Sequence, residues 1–351
     1  MTMTRIKRAF LAALGVLLLC AQPAFAQIDT AARGMTVNAK GATSRYVIAD
    51  RLLTAALRPK PTSAPISVTV SDNLSTSASL NGVQYDGAFA FGDTAYFQNV
   101  GAPYKTGNTA PIYNNGGVLF GTDAPEIEFW MRAGKWELWV DGVQVSTSPF
   151  TSAADGFKRV TFPDARQRNV ELRFRKSVSN ISGLTVRKPY SIWRVAAPPT
   201  VYVMGDSIAD GPPYGDLTNS YEGWPARLGR LTGWDTWSGG TGGSGYTAVP
   251  IFTDRVSSIP TDAAMVIAAG GINDSGASTG ALQTAVTTFV SAVRTRCPNA
   301  FIVVLGPWRG PGQAPSQPYS DAIKAGFNAV ADNNMLFVDT YAENWQFGSG
   351  G

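Results

Sequence analysis

A serine, a glycine-rich loop and an asparagine each follow an apolar run in the second half of this chain. Ser207 lies in "VYVMGDSIADG" (201–211), the loop is "SGGTGGSGY" (238–246), and Asn273 lies in "GGINDSG" (270–276). These residue types suit acyl transfer. A serine hydroxyl can attack an ester carbonyl, whose oxygen gains negative charge as the tetrahedral intermediate forms. Preorganised N–H donors must meet that charge, and losing one typically costs roughly a hundred- to a thousandfold in rate. A glycine N–H can approach closely because no side chain intervenes. An asparagine amide supplies a further donor. The serine proton also needs a base, most often a histidine, yet the 351 residues contain none.

The elements that must carry these residues change character near residue 195. From residue 201 onward, apolar runs alternate with helical patterns. "VYVMG" (201–205), "WDTWSG" (234–239), "AAMVIAAG" (263–270), "FIVVLG" (301–306) and "LFVDT" (336–340) read as five strands. Helices are predicted at 221–231, 281–294 and 319–333. In the second of these Leu282, Val286, Phe289, Val290 and Val293 recur at amphipathic helical spacing. Continuous apolar strands between helices predict a parallel α/β sheet. Ligands bind such sheets outside the carboxyl ends of the strands, where the serine, the glycines and the asparagine all fall.

Before residue 195 the runs are short and alternating: 66–72, 126–132, 135–145 around the Asp141-Gly142 turn, 157–162, 169–175 and 183–188. This pattern predicts an all-β sandwich or jelly roll. Its aromatics Phe129, Trp130, Trp136 and Trp139 sit within strands and are expected in the core. "RVAAPPT" (194–200) reads as a linker. The expected organisation is therefore a signal peptide at 1–26, a lead-in at 27–59, a sandwich at 60–195 and an α/β domain at 199–351.

GDSI at 205–208, the glycine loop at 239–245 and GIND at 271–274 resemble the first three blocks of the SGNH (GDSL) hydrolases. The resemblance covers roughly residues 200–345. It implies a flavodoxin-like three-layer α/β/α fold and a serine esterase. It assigns Ser207 as nucleophile and Gly243 and Asn273 as oxyanion donors, with other glycines of 239–245 competing for the role of Gly243. Asp274 is expected to be a structural neighbour. A β-sandwich ahead of such a domain resembles family 2 carbohydrate esterases. By that analogy the substrate is an acylated carbohydrate or another small ester, and short acyl groups such as acetyl are removed.

The fourth family block, Asp-x-x-His, does not occur. After the fifth strand the chain reads "LFVDTYAENWQFGSGG", and Asp339 looks like a strand-end residue. The expectation is a chain cut before that block and nearly inert as it stands. The alternative is a catalytically silent glycan-binding pseudo-hydrolase. Lys324, Asp210 and Glu222 are weak substitutes for the base, Lys324 being expected on a solvated helix face. Trp224, Trp308 and Arg309 could line a substrate rim, although packing explains the tryptophans equally well.

Other chemistry is disfavoured. Gly240, Gly242 and Gly245 match G-x-G-x-x-G, but the loop follows the second strand, and Asp262 precedes the third strand instead of ending it, so no dinucleotide site is expected. With no histidine and Cys297 the single cysteine after residue 26, a zinc site is nearly excluded. A calcium site of Asp and Asn oxygens stays open although no loop has EF-hand spacing, and no metal-site residue and no cofactor are assigned. Arg5, Lys7 and Arg8, the apolar stretch 10–20 and Ala24-Phe25-Ala26 read as an export signal cleaved before Gln27. Its removal takes three positive charges and lowers the formal charge from +4 to +1. No basic run suggests a nucleic-acid partner, and no membrane anchor is expected after cleavage. The expected location is secreted or periplasmic.

Overall fold

The computed structural model describes residues 58, 63–74, 85–89, 96–98, 116–131, 133–174, 181–187, 189–193, 195, 198–210, 224–308 and 317–342. The expected signal segment, Glu222 and Arg309 lie outside them. The chain divides into two compact units between residues 198 and 199.

The first unit is all β. Its strands are β1 (Thr69–Leu74), β2 (Tyr85–Phe89), β3 (Tyr96–Gln98), β4 (Gly116–Thr122), β5 (Glu126–Met131) and β6 (Gly134–Val140). Then come β7 (Val143–Gln144), β8 (Phe150–Ser152), β9 (Gly156–Thr161), β10 (Arg168–Phe174), β11 (Ile181–Arg187) and β12 (Ile192–Trp193). Among the described residues they form two antiparallel sheets. One runs β1-β9-β5-β11-β2, and the other runs β12-β4-β10-β6-β7 with β3 on β4 and β8 on β6. Strand alternation sends one set of side chains to the core: Ile127, Phe129 and Met131 from β5, Trp136, Leu138 and Val140 from β6, Val170 and Leu172 from β10. Trp130 departs from the core expectation, being half-buried and outside this cluster, whereas Trp139 is buried but away from it. Trp139 lies on the opposite face of β6, buried under the Arg58 guanidinium, which sits 4.4 Å from its ring centroid. The core pattern gave no sign of β12, whose Ile192 and Trp193 pair with Thr122 and Gly121. Two residues are too few to show a period.

The second unit holds β13 (Thr200–Gly205), β14 (Asp235–Gly240), β15 (Met265–Ala269), β16 (Phe301–Leu305) and β17 (Met335–Val338). All pairings are parallel, in the order β14-β13-β15-β16-β17. This second-first-third-fourth-fifth order is the flavodoxin-like one, with its switch point beside the first strand. Successive residues of β13 face opposite sides, so Tyr202 and Met204 enter one apolar cluster and Val201 and Val203 the other. The first cluster takes in α3 (Thr279–Arg296) and α4 (Gln317–Asn328), and the second takes in α1 (Ser207–Asp210) and α2 (Trp224–Thr232). The expected three layers, helix over sheet over helix, are thus present, preceded by the expected β-rich domain.

The predicted periodicity of α3 holds residue for residue: Leu282, Val286, Phe289, Val290 and Val293 are all buried. Each such side chain contributes roughly 1.5–3 kcal/mol on full burial. Ser278 starts the helix by accepting the Ala281 N–H on its hydroxyl at 3.2 Å. Among the described residues, no helix is long and apolar enough to cross a membrane.

Candidate active site

Ser207, Gly243 and Asn273 all lie beyond the carboxyl ends of adjacent strands, β13, β14 and β15 respectively. Ser207 opens α1 immediately after a tight strand-to-helix turn. The turn requires Gly205, because a Cβ there would lie 2.4 Å from the Ala209 Cβ. Asp206 holds the turn closed: its Oδ1 accepts the Ile208 N–H at 2.9 Å, and its carbonyl accepts the Ala209 N–H at 3.1 Å. Ser207 itself is half-buried.

The glycine loop makes its own turn, with Ser244 N–H donating to the Thr241 carbonyl at 3.2 Å. Gly243, third in that turn, has φ +76, the conformation a type II turn demands at that place. Gly243 is exposed, and a Cβ there would meet nothing within 4 Å. Its identity thus follows from backbone conformation, and this separates it from the other glycines of 239–245: among the described ones of that loop it alone has positive φ.

Three loops are tied together at Ser244. Its hydroxyl hydrogen-bonds the Gly205 carbonyl at 3.1 Å and the Thr241 carbonyl at 2.7 Å. Its own carbonyl accepts from Asn273 Nδ2 at 2.9 Å. An asparagine amide carries two N–H donors. One is spent on Ser244, which fixes the direction of the other.

Asp274 holds the far side of the loop. Its buried carboxylate accepts the N–H groups of Tyr246, Thr247 and Ala248 at 2.6 to 3.1 Å, and the Thr247 hydroxyl at 2.7 Å. That is the structural neighbour the sequence led us to expect. Burial near this edge raises the pKa of two groups, Asp206 and Tyr246. Asp206 is 1% exposed, and its Oδ2 has no hydrogen-bond partner among the described residues. Burial pushes its pKa up to about 7, against the lowering effect of the Ile208 N–H, and the charge of Asp274 adds to the rise. Burial also raises the Tyr246 hydroxyl, helped by Asp274 and Asp206.

Sequence reasoning missed Arg255. It sits on a two-turn 3-10 segment, Thr253–Ser258, between the glycine loop and β15. Its Nη1 donates to the Ser244 hydroxyl at 2.9 Å and to the Gly205 carbonyl at 3.3 Å, and its Nη2 donates to the Gly239 carbonyl. No periodic pattern surrounds it, so its charge alone could have flagged it.

The remaining candidates fall elsewhere. Lys324 is exposed on α4, with Nζ 6.0 Å from the Phe337 ring centroid. Asp339 Oδ1 accepts the Ser320 hydroxyl at 2.9 Å and the Ala342 N–H at 3.0 Å, which makes it a turn-capping residue at the end of β17. Trp224 is buried in the cluster shared with Ala209 and lies 6.1 Å, ring to ring, from the half-buried Trp308.

Residues 203–348 match the family model of the GDSL-like lipases and acylhydrolases. Among solved structures, a salicylyl-acyltransferase, SsfX3, from a tetracycline biosynthetic pathway aligns over 64% of this chain and 70% of its own, at 18% identity and a TM-score of 0.51. A family two carbohydrate esterase from Clostridium thermocellum aligns over 68% and 85%, at 18% identity and TM-score 0.47. An acetyl xylan esterase, Est2A, from Butyrivibrio proteoclasticus aligns over 73% and 89%, at 14% identity and TM-score 0.48. No curated protein matches the chain by sequence.

Proposed function

From the membership of residues 203–348 in the GDSL-like lipase/acylhydrolase family, we propose that this chain is an SGNH-type serine esterase that removes short acyl groups, such as acetyl, from carbohydrates. The observation that carries the reading is the three-loop tie at Ser244, which joins the loops of Ser207, Gly243 and Asn273 at one sheet edge. In this mechanism Ser207 Oγ attacks the ester carbonyl. The charge on the carbonyl oxygen is met by the N–H groups of Ser207 and Gly243 and by the second N–H of Asn273 Nδ2. The tetrahedral intermediate then expels the alcohol of the sugar, and water releases the acyl group from Ser207. Support for a carbohydrate substrate is the β-sandwich ahead of the hydrolase domain. Export, read from residues 1–26, agrees with a polysaccharide substrate outside the cell.

The proton of Ser207 is the incomplete part of the mechanism. The 351 residues hold no histidine. Asp206, the adjacent carboxyl, faces the turn through its Oδ1 bond to Ile208, so it is not placed as the base. Serine hydrolases lose on the order of a million-fold in rate without serine or histidine, so these residues alone turn over esters very slowly. The absence of histidine is also what favours the second reading, a glycan-binding pseudo-hydrolase.

Added imidazole separates the two. Hydrolysis of acetylated xylan and of an acetyl aryl ester is measured with the 351-residue chain and with Ser207→Ala, with and without imidazole. The expected result is turnover that rises with imidazole only when Ser207 is present, with long-chain esters cleaved less well. Glycan binding without any Ser207-dependent turnover in imidazole would replace the esterase with the pseudo-hydrolase. Rapid Ser207-dependent turnover without imidazole would overturn the missing-base account.

A further inference from the structure

We propose that Arg255 is a positioning residue of this site, a guanidinium clamp that sets the serine turn and the glycine loop in register. The inference rests on the esterase reading of the edge but is argued from Arg255's own contacts. The strands β13 and β14 pair up to Gly205 and Gly240. Past that point one further backbone bond, Thr241 N–H to the Gly205 carbonyl at 3.1 Å, joins the two segments, and the reacting groups lie on residues that follow it, where strand pairing no longer spans the gap. Arg255 reaches across this gap. It donates to the carbonyl of Gly205, the last residue of β13, to the carbonyl of Gly239 in β14, and to the Ser244 hydroxyl. Ser244 in turn holds Asn273. One side chain therefore touches the ends of two strands directly and the loop of a third through one intermediary.

Its geometry suits that task. A planar fork of donors can meet several oxygens in fixed directions, whereas an ammonium is a single point of charge. The side chain is also anchored from behind. The Arg255 carbonyl accepts the Ser258 hydroxyl at 2.7 Å, and that hydroxyl lies 2.6 Å from the Tyr202 hydroxyl, carried by β13 itself. The Arg255 N–H donates to the Phe252 carbonyl at 3.0 Å, and Phe252 is fully buried. The 3-10 segment is thus fastened to the core of the sheet, and Arg255 transmits that fixed position to the two loops. The Asp206 carboxyl and the Asp274 carboxylate lie near enough to interact electrostatically, and the Arg255 charge lowers the Asp206 pKa.

Hydrogen exchange on the full 351-residue chain tests the clamp without relying on turnover. Arg255→Gln should raise exchange about tenfold or more in peptides covering 239–248 and 203–207, as expected for losing charge-assisted hydrogen bonds. It should leave α3 unchanged. The side-chain amide resonance of Asn273 should shift in the same variant. Arg255→Lys should recover part of the protection and part of the shift, because it keeps the charge but not the fork. A uniform rise across the α/β unit would show a role in global stability only, and unchanged loops would remove the clamp altogether. Failure of the esterase reading appears separately, as the absence of Ser207-dependent turnover in imidazole. Where that turnover is present, Arg255→Gln should lower kcat and leave KM near its original value.

Discussion

The buried charges around Glu171 in the sandwich and those around Asp274 at the edge of the parallel sheet are satisfied in opposite ways. Glu171 lies between two guanidinium groups, Arg58 at 2.7 Å and Arg173, on the face of β10 turned from the core. Burial alone would push its carboxyl up, but the two arginines and their hydrogen bonds hold it below the usual range. Asp274 instead accepts three backbone N–H groups and one hydroxyl. In the first arrangement side-chain charges answer side-chain charges. The second spends a charge on the shape of a loop. The difference teaches where chemistry can reside, because a loop held from within can present its outward N–H groups in fixed directions.

The comparison breaks most visibly at Asp274. Asp274→Ala leaves four donors without their acceptor, and the expected loss is on the order of 5 kcal/mol in denaturant unfolding of the α/β unit. Asp274→Asn should cost much less, since Oδ1 takes three of the four bonds. A loss below about 1 kcal/mol for the alanine variant would mean the loop is held by something else. Glu171→Leu should cost about 3–5 kcal/mol, because it removes the buried carboxylate that both guanidinium groups hold. Replacing Arg58 and Arg173 by methionine in the same chain should recover most of that loss, since apolar packing can replace a closed ion cluster. No set of substitutions can do this for Asp274, whose partners are mostly backbone. If the triple variant in the sandwich stays as unstable as Glu171→Leu, the contrast between the regions fails.

Smaller effects sharpen it. Asp206 has a folded-state pKa of about 7 against an ordinary 3.8. Between those values the folded chain keeps a proton that the unfolded chain releases. The contribution is fully present below about pH 4 and lost as pH rises through about 7, a change of roughly 4 kcal/mol. Asp206→Asn keeps an oxygen for the Ile208 N–H and should flatten this slope, so the variant gains on the parent in unfolding measurements near pH 8. An unchanged slope would place the proton on another group. The smallest effect is expected at Gly243→Ala. The space is open but φ is +76, so the cost is conformational, about 1 kcal/mol. A neutral outcome in thermal unfolding would show that the turn relaxes without strain.

Much of this molecule is legible without coordinates. The five apolar runs became β13 to β17, the row from Leu282 to Val293 became the buried face of α3, and Ser207, the glycines and Asn273 fell at strand ends because parallel strands all finish on one edge. Each of these is a local pattern, set by side-chain period and by the order of strand and helix. The absence of histidine is likewise a property of the sequence alone, and no folding can supply one. What only the tertiary structure decided is how the edge is held. Asn273 and the Gly205 turn ahead of Ser207 are joined through Ser244, whose neighbours in sequence are mostly glycines. Arg255 reaches a carbonyl 50 residues away, and Asp274 reaches loop groups 26 to 28 residues away. Hydrogen bonds of that span leave no period in the sequence, because one polar residue suffices at each end. Among several glycines Gly243 is singled out by a dihedral angle, and Asp206 holds its proton because the folded chain removes it from water. Both are properties of a position in space, which residue types and their spacing do not encode.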